Sequence, residues 1–132
     1  MFFLDTNACI MKMRGHARVC LRWQQHDARE LALPLIVYGE LLVGAEKSNR
    51  SQRVLQQIEM LLESHVVFDV TESVAAHYAR IRADLEKRGV TIGENDMWIA
   101  AMAVAHGVTL VTNNTGEFSR VPGLKIEDWT QP

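Results

Sequence analysis

Cysteine is scarce in this chain: Cys9 and Cys20 are the only two among 132 residues. Two thiols build no disulfide framework, so reduced and largely buried side chains are expected. Long apolar runs are missing too. Nothing approaches the roughly 20 residues that a membrane-spanning helix needs. The first apolar run, Phe2-Phe3-Leu4, is cut short by Asp5 and does not make a signal peptide. These absences point to the cytoplasm. A strong charge of either sign is also absent: 14 Lys and Arg stand against 16 Asp and Glu, for a net charge of −2 and a pI near 6.2. That balance excludes a broadly basic nucleic-acid coat. It leaves phosphate chemistry open, because a bound divalent cation can reverse the sign of an acidic site. The five histidines, His16, His26, His65, His77 and His106, show no zinc-like spacing and are expected at the surface or at helix ends. No serine–histidine pairing, internal repeat or linker stands out.

What is present is an alternation of short apolar runs with helical periods. Strands are expected at Phe2–Leu4, Leu31–Leu33, Val66–Phe68 and Val108–Val111, with a last edge strand at Lys125–Glu127. Helices are expected from Ala8 to Met13, from His16 to His26, from Leu35 to Lys47, through Val54–Leu62, from Thr71 to Arg88, and from a cap at Asn95 or Asp96 to His106. Gly15, Gly89 and Gly107 end helices, and Thr112–Gly116 is expected to be a turn. One α/β domain covering 1–132 follows, with a central parallel sheet of about four to five strands and helices on both faces.

In such a sheet the carboxyl ends of the strands and the helix starts beyond them form the binding crevice. Asp5 closes the first strand, Glu40 lies just past the second, and Asp96 opens a later helix. Alone, Asp5 and Asp96 have plain uses as helix caps and Glu40 as a helix-surface acid. Together they are acids placed alike in an apolar setting. Gathered carboxylates repel unless protons or a cation neutralise them, and hard oxygen ligands suit Mg²⁺ or Mn²⁺. Asn114 and Glu117, in the loop after the fourth strand, are further candidate ligands. Lys12, Arg14, Arg18 and Arg22 form a basic cluster in which the three arginines, four apart, would line one helix stripe and track phosphates. A receiver-like signalling domain also gathers acids at strand ends. It needs paired acids after its first strand, and Asp5 is single; Asp69, Thr112 and Lys125 do not restore its pattern.

Four motifs carry a family resemblance: Leu4-Asp5-Thr6-Asn7; Gly39-Glu40-Leu41 with Gly44-Ala45-Glu46-Lys47-Ser48; Asp96-Met97-Trp98-Ile99-Ala100-Ala101; and Val111-Thr112-Asn113-Asn114 with Glu117-Phe118. In this order and spacing the chain resembles PIN-domain proteins, specifically the VapC toxins of type II VapBC toxin–antitoxin systems, near the enterobacterial group. The resemblance implies a PIN-like three-layer α/β/α fold and a Mg²⁺- or Mn²⁺-dependent endoribonuclease. It maps the catalytic and metal-binding acids onto Asp5, Glu40 and Asp96. Asn114 stands where many relatives have a fourth Asp, which leaves Asn114, Glu117 or neither to complete the set. Thr6, Asn7 and Thr112, with Arg14 and Arg18, are the expected substrate contacts. A VapB-type antitoxin, a homodimer and a tRNA substrate, initiator tRNA first, are the implied partners. The alternative is a PIN-like module that binds RNA or an antitoxin without cutting.

Overall fold

The computed structural model describes residues 1–132. Its five strands, β1 (Phe2–Leu4), β2 (Leu31–Pro34), β3 (Val66–Phe68), β4 (Thr109–Val111) and β5 (Lys125–Glu127), form one sheet in the order β3-β2-β1-β4-β5. Every pairing is parallel, with Phe3 beside both Ala32 and Leu110. Phe3, Leu4, Leu31, Ala32, Leu33, Leu110 and Val111 are all almost fully buried. Burial of successive residues, which point to opposite faces, means that helices cover both sides of the sheet centre. The chain steps outward from β1 to β3, then returns to place β4 on the other side of β1. The direction of winding therefore switches between β1 and β4, where an open α/β sheet offers its crevice.

Seven helices connect the strands: α1 (Thr6–Met13), α2 (Ala17–Gln24), α3 (Leu35–Lys47), α4 (Ser51–Ser64), α5 (Glu72–Lys87), α6 (Glu94–His106) and α7 (Thr115–Phe118). Local chemistry sets their ends. The Asp5 carboxylate accepts from the Thr6 N–H at 2.8 Å and starts α1. Gly15, at φ +78°, turns the chain after α1 in a conformation that L side chains avoid. Pro34 is the last residue of β2 and also the cap position of α3; its missing N–H does little harm at a strand end. Helix α6 carries Ile99, Ala100, Ala101, Met102 and Ala103 without exposure, so it is a core helix against which α5 packs.

Three expectations need correction. Asn95 and Asp96 do not cap α6: Gly93 does, and Asp96 falls on the third helical residue. Thr115–Phe118 is a short helix where a turn was expected, and a 3₁₀ turn at Ala28–Glu30 gave no periodic signal in so short a segment. Arg14, Arg18 and Arg22 do not share a helix stripe, because the break at Gly15 leaves Arg14 as the C-cap of α1. On the surface of α5, Asp84 pairs with Arg88 at 2.7 Å and Arg82 with Glu86 at 2.9 Å.

The histidines are mostly peripheral, but His65 is a buried helix end. The Trp23 indole N–H donates to its Nε2 at 3.2 Å, so its Nδ1–H faces the Ala28 carbonyl, also at 3.2 Å. This bond ties α2 to the end of α4. Replacing His65 with Leu leaves a buried indole donor without a partner, a loss of about 1–3 kcal/mol. Urea unfolding should show a lower midpoint with an unchanged slope. An unchanged midpoint would mean that the bond carries no weight.

Candidate active site

Asp5 stands at the end of β1 and is only 4% exposed. Its two carboxylate oxygens have different partners. Oδ1 accepts from the Thr6 N–H at 2.8 Å, and Oδ2 accepts from the Thr112 hydroxyl at 2.7 Å. Thr112 follows the end of β4, so this bond crosses the switch point. Asp5 is thus both the helix cap and a site acid. The cap uses one oxygen; the other faces the crevice side.

Glu40 arrives from α3. Its Oε1 accepts from the Thr6 hydroxyl at 2.6 Å, and Asn95 donates from Nδ2 to its Oε2 at a longer 3.5 Å. Asp96, from the first turn of α6, accepts at Oδ2 from the Asn114 amide at 3.4 Å. The same amide donates to Glu117 Oε2 at 2.7 Å. The structure therefore brings Asp5, Glu40, Asp96 and Glu117 into one network, with Thr6, Thr112 and Asn114 as donors among them. Asn114 reaches the site through its NH₂ group. Asn95 was not expected beyond a capping use; its place beside Asp96 in the motif was the available signal.

The electrostatics agree with crowding of like charges. The Asp96 carboxyl is pushed up to about 7, first by burial, then by a hydrogen bond with Glu117 that requires its proton, then by the charges of Asp5, Glu117 and Glu40. Asp5 is also raised, chiefly by burial and partly by Glu40, against the opposing bonds from Thr112 and Thr6. Glu117 is lowered by its bonds with Asn114 and Asp96. None of the molecule's six ion pairs involves these four acids. As placed, no three of these acids stand close enough together to hold a metal ion; what points to one is the chemistry of the donor set. An all-oxygen set of acids without a protein cation matches the ligand preference of a hard divalent ion.

The remaining expected residues lie farther out. Asn7 is exposed and donates from Nδ2 to Asn113 Oδ1 at 3.2 Å, linking the start of α1 to the loop after β4. Arg14 and Arg18 are exposed and take part in no ion pair. Arg22 is engaged within the fold: it pairs with Glu127 at 3.0 Å and lies over the buried Trp129 ring.

Known proteins give this arrangement a family. The family model for the PIN domain matches residues 2–124. This chain is a PIN-domain protein. It is 36% identical over 128 residues to the tRNA(fMet)-specific endonuclease VapC of Salmonella typhimurium, with 97% of each chain covered. It is 38% identical over 128 residues to Ribonuclease VapC2 of Haemophilus influenzae, again with 97% of each covered. The DNA-bound VapBC structure from Salmonella typhimurium aligns with a TM-score of 0.91 at 37% identity and 97% coverage of both chains. Within the PIN-domain family the chain therefore belongs with the VapC ribonucleases. No helix of this PIN domain is long and apolar enough to cross a membrane.

The raised Asp96 carboxyl has a thermodynamic consequence. Its folded value near 7 lies above the 3.8 of an unfolded Asp, so the folded protein holds a proton that the unfolded chain has already lost. The stability this group contributes is full below about pH 4 and disappears as pH rises through 7. A cation bound to the ionised cluster opposes that loss. Thermal unfolding from pH 5 to 8 should therefore show a Mg²⁺-induced gain that grows with pH, and the growth should be blunted in Asp96→Asn. A gain independent of pH would contradict the coupling.

Proposed function

We propose that this PIN-domain protein is the toxin of a type II toxin–antitoxin pair and hydrolyses RNA phosphodiester bonds with a divalent cation, Mg²⁺ or Mn²⁺. The observation that carries this reading is the gathering of Asp5, Glu40, Asp96 and Glu117 at the switch point with no Lys or Arg paired to them. Asp5 and Asp96 are the main cation ligands, with Glu117 as the fourth acid. When bound, the cation supplies positive charge that acidifies water and offsets the charge building on the phosphate. Glu40, with one oxygen fixed by Thr6 and the other held only at 3.5 Å by Asn95, orients the attacking water and accepts its proton. Thr112 keeps Asp5 turned toward the site. Asn7 and Asn113 at the rim, with Arg14 and Arg18 beyond, contact the RNA. No covalent protein nucleophile is required.

The substrate is tRNA, with the anticodon stem-loop of initiator tRNA as the first choice. The Salmonella relative's name, tRNA(fMet)-specific endonuclease, supports it, as does the general preference of proteins for unstacked loop bases in RNA. The partner is a VapB-type antitoxin, as the VapBC complexes of similar fold suggest. Its seat would be the cavity of about 530 Å³ between α1, α2 and α4, lined by Met13, Trp23, Met60, Leu61 and His65. A homodimer in the cytoplasm completes the reading.

The test is cleavage of total tRNA by antitoxin-free protein with Mg²⁺, Mn²⁺ or EDTA. Discrete fragments should form only with metal. Asp5→Asn and Asp96→Asn should each lower the rate by roughly 10²- to 10³-fold, the scale of losing one electrostatic stabiliser. Wild-type protein that is folded and metal-loaded yet leaves every tRNA intact would sink the tRNA assignment. Failure to bind either metal as well would favour a binding module that does not cut.

A further inference from the structure

We propose that Asn114 is a positioning residue that works through its NH₂ group rather than as a ligand: it clamps Glu117 beside Asp96 and so makes Glu117 part of the cation site. The proposal rests on the metal-dependent reading above and specifies how its fourth acid is held.

The orientation of the amide is fixed by its neighbours. Two carboxylate oxygens face the same end of Asn114, Glu117 Oε2 at 2.7 Å and Asp96 Oδ2 at 3.4 Å. Turned the other way, the amide would set its oxygen against two acidic oxygens. Both amide protons are thus committed to acids. The backbone around Asn114 is anchored too. Its N–H donates to the Thr112 hydroxyl at 3.0 Å, and that hydroxyl donates to Asp5 at 2.7 Å. Its carbonyl accepts from the Phe118 N–H at 3.2 Å, which fixes the start of α7. Glu117, three residues on, therefore leaves a helix whose cap residue, Asn114, is tied through Thr112 to Asp5. One chain of bonds, from Asp5 through Thr112 and Asn114 to Glu117, sets where the fourth carboxylate stands. An Asp at 114 would place an acceptor where two donors are now used and add a charge to a cluster that already lacks a protein cation.

A double-mutant cycle on Mn²⁺ affinity, read by isothermal titration calorimetry and by the EPR signal of free Mn²⁺, tests this. Asn114→Ala should weaken Mn²⁺ binding about 10-fold, the lower end of the loss expected when an outer-shell partner of a ligand is removed. Glu117→Gln should weaken it at least as much. In the Glu117→Gln background, Asn114→Ala should have almost no further effect, because the clamp has nothing left to hold. Additive losses would show that Asn114 acts on the ion by itself, and no loss from Asn114→Ala would show that the clamp is idle; either overturns the proposal. Asn114→Ser enters the same cycle if the Ala variant does not fold. Wild-type protein that binds no Mn²⁺ would instead defeat the metal-dependent reading, which the wild-type titration reports separately.

Discussion

Mutual repulsion among carboxylates at the end of a parallel sheet is the constraint on which the rest of this structure depends. Asp5, Glu40, Asp96 and Glu117 come from four separate parts of the chain, and no arginine or lysine pairs with them. The fold gathers them by topology: the winding reverses between β1 and β4, and the crevice opens there. What holds them apart, in the absence of a cation, is a set of neutral donors. Thr6 serves Glu40, Thr112 serves Asp5, and Asn114 serves both Asp96 and Glu117. Each donor removes part of the cost of an ionised acid without cancelling its charge. The Asp96 carboxyl is raised first by burial and by its bond with Glu117, and the charges of Asp5, Glu117 and Glu40 add to that.

This constraint explains why the apolar framework is so rigidly built beneath the acids. β1 is flanked on both sides, and Phe3, Leu4, Leu110 and the consecutive residues Ile99 to Ala103 have no exposure. Close packing resists the displacement that repulsion would otherwise cause. Asp96 is placed by a core helix and Asp5 by the central strand, so neither acid can relax outward without disturbing the core. Active sites commonly hold such unfavourable arrangements and rely on the surrounding structure to maintain them.

Much of this was legible in the sequence, and the parts that were not have physical reasons. The strands and the longer helices followed from apolar runs and period, and Asp5, Glu40 and Asp96 stood out as acids at equivalent places. Helix starts were less secure: Asn95 and Asp96 both look like caps, but Gly93 supplies the extended backbone that begins α6. The choice between Asn114 and Glu117 could not be made from type alone, since an Asn amide offers an oxygen or an NH₂ group. Only the positions of Glu117 and Asp96 around it decide which end it presents. The arginine stripe failed because a four-residue spacing has meaning only within one unbroken helix, and Gly15 interrupts it.

The fate of those arginines bears on how an acidic protein could engage RNA. Arg22 is consumed by Glu127 and by the face of Trp129, a contact that fastens β5 to α2 and serves the fold. Arg14 and Arg18 remain exposed, on either side of the turn at Gly15. Two dispersed cations offset few phosphates, so backbone attraction of the kind that dominates broadly basic proteins has little to act on. On the proposed reading, a cation bound at the scissile phosphate would supply much of the local attraction. Discrimination is left to shape and to groups that read an unstacked strand. The exposed pair Asn7 and Asn113, joined at 3.2 Å, would take that part on the same reading. Such a site, on the proposed reading, would favour a strand presented open at one point, the form a hairpin loop offers, over nucleic acid at large.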